Sequence, residues 1–189
     1  KIKNTKLMDP TSPVQVMFVP SYLNGVDGIF DKDYYELLCG MDVTVFPSYY
    51  EPWGYTPLES VAFSVPTITT SLAGFGLWVA EHCKEHKGVE VIDRNDANDS
   101  EVVTEIASSI EKFCNMSAKE YASYQESALK TSEIALWENL YAYYAHAYDV
   151  ALARMTERSS GFKYEGGGDQ NEQINFVRQQ LVSNRPTWT

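Results

Sequence analysis

The chain has 189 residues, a mass of 21.4 kDa and a formal net charge of −11. That length supports one sizeable core but not two large domains. Such acidity argues against nonspecific nucleic-acid binding and against anionic membrane surfaces, because phosphates repel it. No run of about 18 apolar residues offers a membrane-spanning helix, and Lys1–Lys6 lacks the apolar core of a signal peptide. Cys39, Cys83 and Cys114 are odd in number and widely spaced, which speaks against a disulfide framework or a zinc site and for a reducing cytoplasm.

In chain order, four short runs read as buried strands: Val14–Val19, Val43–Phe46, Pro66–Thr70 and Val89–Ile92. Helical stretches alternate with them at Asp31–Cys39, Pro57–Phe63 and Leu77–His86. This alternation predicts right-handed crossovers and an α/β fold with a parallel sheet. Past Ile92 comes the polar, turn-rich stretch Asp93–Ser100, whose acidic run Asp93–Asp99 reads as a solvated loop. Ser100 then caps a helix to about Cys114, with Ile106, Ile110 and Phe113 on its apolar stripe. Ser117 and Glu120 have capping-box spacing for the next helix, and a long aromatic helix covers Trp137–Arg158. The expected organisation is therefore a Rossmann-like domain over residues 1–158, incomplete at its N-terminus because four strands make a thin sheet, and a polar tail over 159–189.

The richest segment is Phe46–Glu59, FPSYYEPWGYTPLE, which leaves a strand and enters a helix. In open α/β sheets ligands bind at such carboxyl ends. With Thr56 as N-cap and Pro57 as the first helical residue, the amides from about Gly54 to Leu58 lack helical acceptors and offer an anion site. Gly54 permits close backbone approach. Glu59, on the first turn, can accept two hydrogen bonds from a vicinal diol such as ribose; equally, Thr56 and Glu59 form a ligand-free capping box. Glu51 is either a solvated loop carboxylate or a group that binds a sugar hydroxyl and stabilises positive charge at an anomeric carbon.

This run, continued by Val65–Thr70 and Gly74-Phe75-Gly76, closely resembles the eukaryotic-type branch of the glycogen synthases. The Glu-Pro-Trp-Gly-Tyr-Thr-Pro core carries the resemblance. Glu51 and Glu59 match the paired glutamates, seven residues between, of many retaining glycosyltransferases with two Rossmann domains. The resemblance covers Val14 to about Gly76 and resumes loosely over Trp137–Ala153. It implies the C-terminal half of a GT-B glycosyltransferase that passes glucose from UDP-glucose or ADP-glucose to an α-1,4-glucan with retention. It further implies that Glu59 binds ribose, that Glu51 assists the transition state, and that amides around Trp53, Gly54, Tyr55 and Thr56 hold glucose hydroxyls and the distal phosphate. No cofactor is implied, and no DxD-like or His-rich motif asks for a metal. The family's N-terminal Rossmann half and its basic pair for the diphosphate fall outside these residues, so a fragment inactive alone is expected. Animal and fungal members carry an arginine-rich sensor helix, whereas no Arg lies between Asn95 and Ala153, so that regulation is not expected. The alternative is a nucleotide-sugar-binding or protein-interaction module without catalysis.

Other residues have competing readings. His82 and His86 stand four apart on a predicted helix, as a metal pair or as ordinary surface histidines, and His146 sits in the aromatic helix. Tyr141, Tyr143, Tyr144 and Tyr148 can stack on a glucan or pack the helix onto the sheet or onto the N-terminal half. Gly74-Phe75-Gly76 lines the donor cleft or makes a tight turn.

Overall fold

The computed structural model describes the backbone of residues 11–159 and the side chains of residues 11–155. The polar tail expected from residue 159 onward falls, apart from the backbone of Ser159, outside the described residues. Two compact units divide at Asn139 and Leu140.

The first unit is an α/β domain built on a three-stranded parallel sheet in the order β1 (Thr44–Val45), β2 (Thr67–Thr70), β3 (Val89–Ile92). Thr44 pairs with Thr67, and Thr67 with Val89, so the strands start in register. Helices follow the strands. α1 (Tyr34–Leu38) precedes β1, α2 (Tyr55–Ala62) joins β1 to β2, and α3 (Gly74–His82) joins β2 to β3. Beyond the sheet come α4 (Asp99–Cys114) and α5 (Ala118–Ile134).

Burial explains the layering. β2 is buried at all four positions, as expected for a central parallel strand covered on both faces. One core cluster joins Val61 of α2, Phe75 and Val79 of α3, Val89 of β3 and Ala128 of α5. A second joins Ile68 and Ile92 to Val102 of α4, with Ile106 and Phe113 packed against it. Helix α5 comes close enough to the chain before β3 that a Cβ on Gly88 would collide with the Ala128 backbone. Between α2 and the sheet, the half-buried Thr44 satisfies two buried hydroxyls: its Oγ1 lies 2.6 Å from Ser60 Oγ and 2.8 Å from Thr67 Oγ1.

The sequence expectation of a first strand at Val14–Val19 is corrected. That segment forms no strand, and Val14, Met17 and Phe18 are exposed. A β-branched run becomes a strand only where an edge accepts its hydrogen bonds, and the β1 edge is only two residues long. The other strands and the later helices match their expected positions to within a few residues. Ser117 caps α5 by accepting the Glu120 amide at 3.3 Å. Helix α4 begins at Asp99, with Asn98 rather than Ser100 at the N-cap.

Helix α6 (Trp137–Ser159) covers the expected aromatic helix. Its side chains Tyr141, Tyr143, Tyr144 and Tyr148 are all exposed. No helix among the described residues is long and apolar enough to cross a membrane.

Candidate donor site at the carboxyl ends of the strands

The loop after β1 is stitched to the start of α3. The Glu51 amide donates to Leu72 O at 3.2 Å, and Glu51 O accepts from the Gly74 amide at 2.9 Å. Two residues on, Trp53 O accepts from the Phe75 amide. The loop carbonyls thus take up the first amides of α3, which would otherwise lack acceptors. Gly74 is required at this contact, because a Cβ there would collide with Pro52 O. Gly74-Phe75-Gly76 is therefore the first turn of a helix and the seat of the Glu51 loop, rather than a tight turn.

The indole of Trp53 is half-buried and forms an aromatic cluster with Phe75, 6.0 Å away, and Trp78, 5.9 Å away. His82 extends this stack at 5.8 Å from Trp78. The Trp53 ring therefore anchors the loop from below, while its backbone continues into Gly54.

Gly54 is the N-cap of α2, with φ of +104°. Only glycine adopts that conformation without strain. This corrects the expectation that Thr56 caps the helix. The left-handed turn at Gly54 starts α2 earlier, so Thr56 is the second helical residue and Pro57 the third, still inside the turn where a missing N–H costs nothing. No side chain caps α2. The Tyr55 and Thr56 amides therefore have no acceptor within the helix, and both residues are exposed.

The capping-box reading of Glu59 falls with it. Glu59 is the fifth residue of α2, and its Oε1 accepts the Tyr35 hydroxyl at 3.0 Å. That bond spans 24 positions and ties α1 to α2. Tyr35 also stacks on Phe63 at 5.4 Å. Donation to Glu59 pushes the Tyr35 phenol pKa up, and burial followed by the Glu59 charge raises that of Tyr34. Glu59 is half-buried, as is Glu51.

The structure thus brings Glu51, Trp53, Gly54, Tyr55, Thr56 and Glu59 together on one loop and helix start at the carboxyl end of β1. Sequence reasoning missed Tyr34 and Tyr35, whose link to Glu59 is long-range and leaves no local signal. It also missed Arg94. The acidic run Asp93–Asp99 is not wholly solvated, since Arg94 is 7% exposed. The signal there was a lone arginine two residues past the end of a strand, in an acidic loop. Of the histidines, His82 ends α3 and His86 lies beyond it, its Nδ1 2.9 Å from Val89 O. Among the described residues no cluster of three or more His, Cys, Asp or Glu side chains forms a metal site.

A parallel α/β unit whose glycine-started helix and paired glutamates stand at the carboxyl ends of its strands is the arrangement of a Rossmann-like glycosyltransferase domain. Comparison with known families agrees, since the glycogen synthase family matches residues 1–188. Glycogen [starch] synthase of Caenorhabditis elegans is 36% identical over 157 residues, covering 82% of this chain and 23% of the relative. The human liver glycogen [starch] synthase is 32% identical, covering 76% and 21%. Isoform 1 of Saccharomyces cerevisiae is 32% identical, covering 82% and 22%. The chain belongs to the glycogen synthase family, and it spans between a fifth and a quarter of the length of these relatives.

Proposed function

We propose that this chain is the donor-binding part of a retaining glycosyltransferase that moves glucose from a nucleotide-diphosphate glucose, UDP-glucose or ADP-glucose, to an α-glucan. The observation that carries the reading is the uncapped start of α2 at Gly54, reached directly from the pinned Glu51 loop and followed by Glu59. Amides at a helix start, aided by the helix dipole, suit a diphosphate and the hydroxyls beside it. The amides of Tyr55 and Thr56 would take that role, with Trp53 and Gly54 lining the approach. Glu59 would receive the ribose diol on the oxygens its Tyr35 bond leaves available.

In this reading catalysis is largely electrostatic and positional. The leaving diphosphate gains negative charge as the glycosidic bond breaks, and donors already aimed at it lower the barrier without reorganising. Glu51 would stabilise the positive charge developing at the anomeric carbon. A held acceptor 4-hydroxyl would attack from the face that the diphosphate leaves, giving retention. Acceptor contacts belong, in this proposal, to an N-terminal Rossmann half, and the basic pair for the diphosphate to the start of the C-terminal half, outside these residues, so residues 1–189 alone bind donor but do not turn it over. A cytoplasmic site of action goes with the reading, and the three free cysteines are compatible with it.

The test is glucose incorporation into glycogen by the natural-length protein, with each nucleotide sugar in turn. Transfer with an α-linked product, abolished in Glu51→Gln, is the expected result. Binding of the nucleotide sugar with no incorporation under any condition would reduce the protein to a binding module. Incorporation unaffected by Glu51→Gln would remove Glu51 from the mechanism.

A further inference from the structure

Arg94 leaves the carboxyl end of β3 and turns under the loop that carries Glu51. Its side chain is 7% exposed. Nη1 donates to Pro47 O at 2.9 Å, and Nη2 donates to Asp99 Oδ1 at 2.8 Å. The guanidinium carbon lies 3.4 Å from the centroid of the Tyr49 ring. Tyr49 in turn donates its hydroxyl to the same Asp99 oxygen at 2.7 Å. Nε is buried with no partner, so the residue is held there at a cost that a surface arginine would not bear. The backbone is fixed as well: the Arg94 amide donates to Ser71 Oγ at 2.9 Å, and Ser71 Oγ donates to Asp93.

These contacts seize the Glu51 loop at two successive points. Pro47 is held by its carbonyl and Tyr49 by its ring, while the intervening Ser48 carbonyl accepts the Thr70 hydroxyl at 2.7 Å. The far end of the loop is held by the Glu51 and Trp53 bonds to the start of α3. A flat guanidinium meets a carbonyl, a carboxylate and a ring face at once, and lysine can reproduce only part of that.

We infer that Arg94 is a positioning residue for Glu51: it clamps residues 47–49, through Pro47, Tyr49 and Asp99, so that the Glu51 carboxylate is held in register with donor bound at α2. The inference rests on the proposed function. Arg94 touches no donor atom itself. Loosening the clamp misplaces Glu51 while leaving the α2 amides and Glu59 where they are, and small misplacements of reacting groups cost rate more than affinity.

The experiment uses the natural-length protein and compares wild type with Arg94→Lys and with Asp99→Ala. The second alters an exposed carboxylate, so folding survives even where the buried change is not tolerated. For each, kcat for glucose transfer, the Kd of UDP and the thermal midpoint are measured. The expected result is kcat lowered about tenfold or more in Arg94→Lys and several-fold in Asp99→Ala, with the UDP Kd within about twofold of wild type. Wild-type kcat in the folded variants overturns the inference while leaving the proposed function intact. A parallel fall in kcat and UDP affinity also overturns it, because the damage is then general to the site. A wild-type protein that binds no nucleotide overturns the functional reading and this inference with it.

Discussion

Glu51 and Gly74 are joined backbone to backbone: the Gly74 amide donates to Glu51 O at 2.9 Å. One bond thereby fixes the loop after β1 against the first turn after β2. The loops leaving the two strand ends are joined into one unit rather than standing separately.

Gly74→Ala tests that junction. The added methyl would collide with the Pro52 carbonyl, a backbone atom that moves only if the loop does. We expect a loss of about 1–3 kcal/mol from overpacking, read as a lowered midpoint in urea. Under the proposed function, glucose transfer by the natural-length protein should fall further than stability does, because the displaced segment carries Glu51.

Gly54→Ala isolates the conformational requirement at the start of α2. Here φ is +104° and a Cβ would sit 3.1 Å from Pro57 Cγ. The expected cost is about 1–2 kcal/mol for a left-handed residue with a side chain, measured by the same denaturation. A neutral result would mean that α2 can start at a different residue.

How far the sequence disclosed this site follows from the range of each interaction. The β2 and β3 strands and the Glu51–Glu59 segment were legible, because β-branched runs and a turn rich in Gly and Pro are local signals. The start of α2 was misread at Thr56, since Thr-Pro is a good helix opening and only the positive φ of Gly54 overrides it. Val14–Val19 was misread because strand propensity does not reveal whether a pairing edge exists. Tyr35 to Glu59 and Arg94 to Pro47 span 24 and 47 positions, and no pattern within a window of one helix or strand encodes them.

The Tyr49–Asp99–Arg94 cluster makes a pH prediction. The Tyr49 hydroxyl, and then Arg94, hold the Asp99 carboxyl below its ordinary 3.8, so its contribution is complete above that value and is lost as pH falls through the depressed one. Hydrogen bonding to Asp99 raises the Tyr49 phenol above 10.0, so that contribution holds below 10.0 and is lost as pH rises through the raised value. Difference spectra of wild type against Tyr49→Phe should show one phenol ionising late, and Asp99→Ala should bring it back toward the ordinary range.

Phe75→Ala addresses the floor of the site. Phe75 is fully buried, packs against Trp53 and Trp78, and belongs to the core cluster with Val61 and Val79. Its truncation should cost about 3–5 kcal/mol, seen in chemical denaturation, and should change the fluorescence of the tryptophans above it.

The most direct test of the central claim is titration calorimetry of the natural-length protein with UDP, ADP and their glucose conjugates, with Glu59→Ala alongside. The account predicts saturable binding of one nucleotide series, weakened about tenfold or more in Glu59→Ala by loss of the hydrogen bonds to the diol, with the thermal midpoint lowered only by the loss of the Tyr35–Glu59 bond, about 1 kcal/mol. Equal affinity in wild type and Glu59→Ala, or no binding of any of the four ligands, would contradict a donor site at this segment.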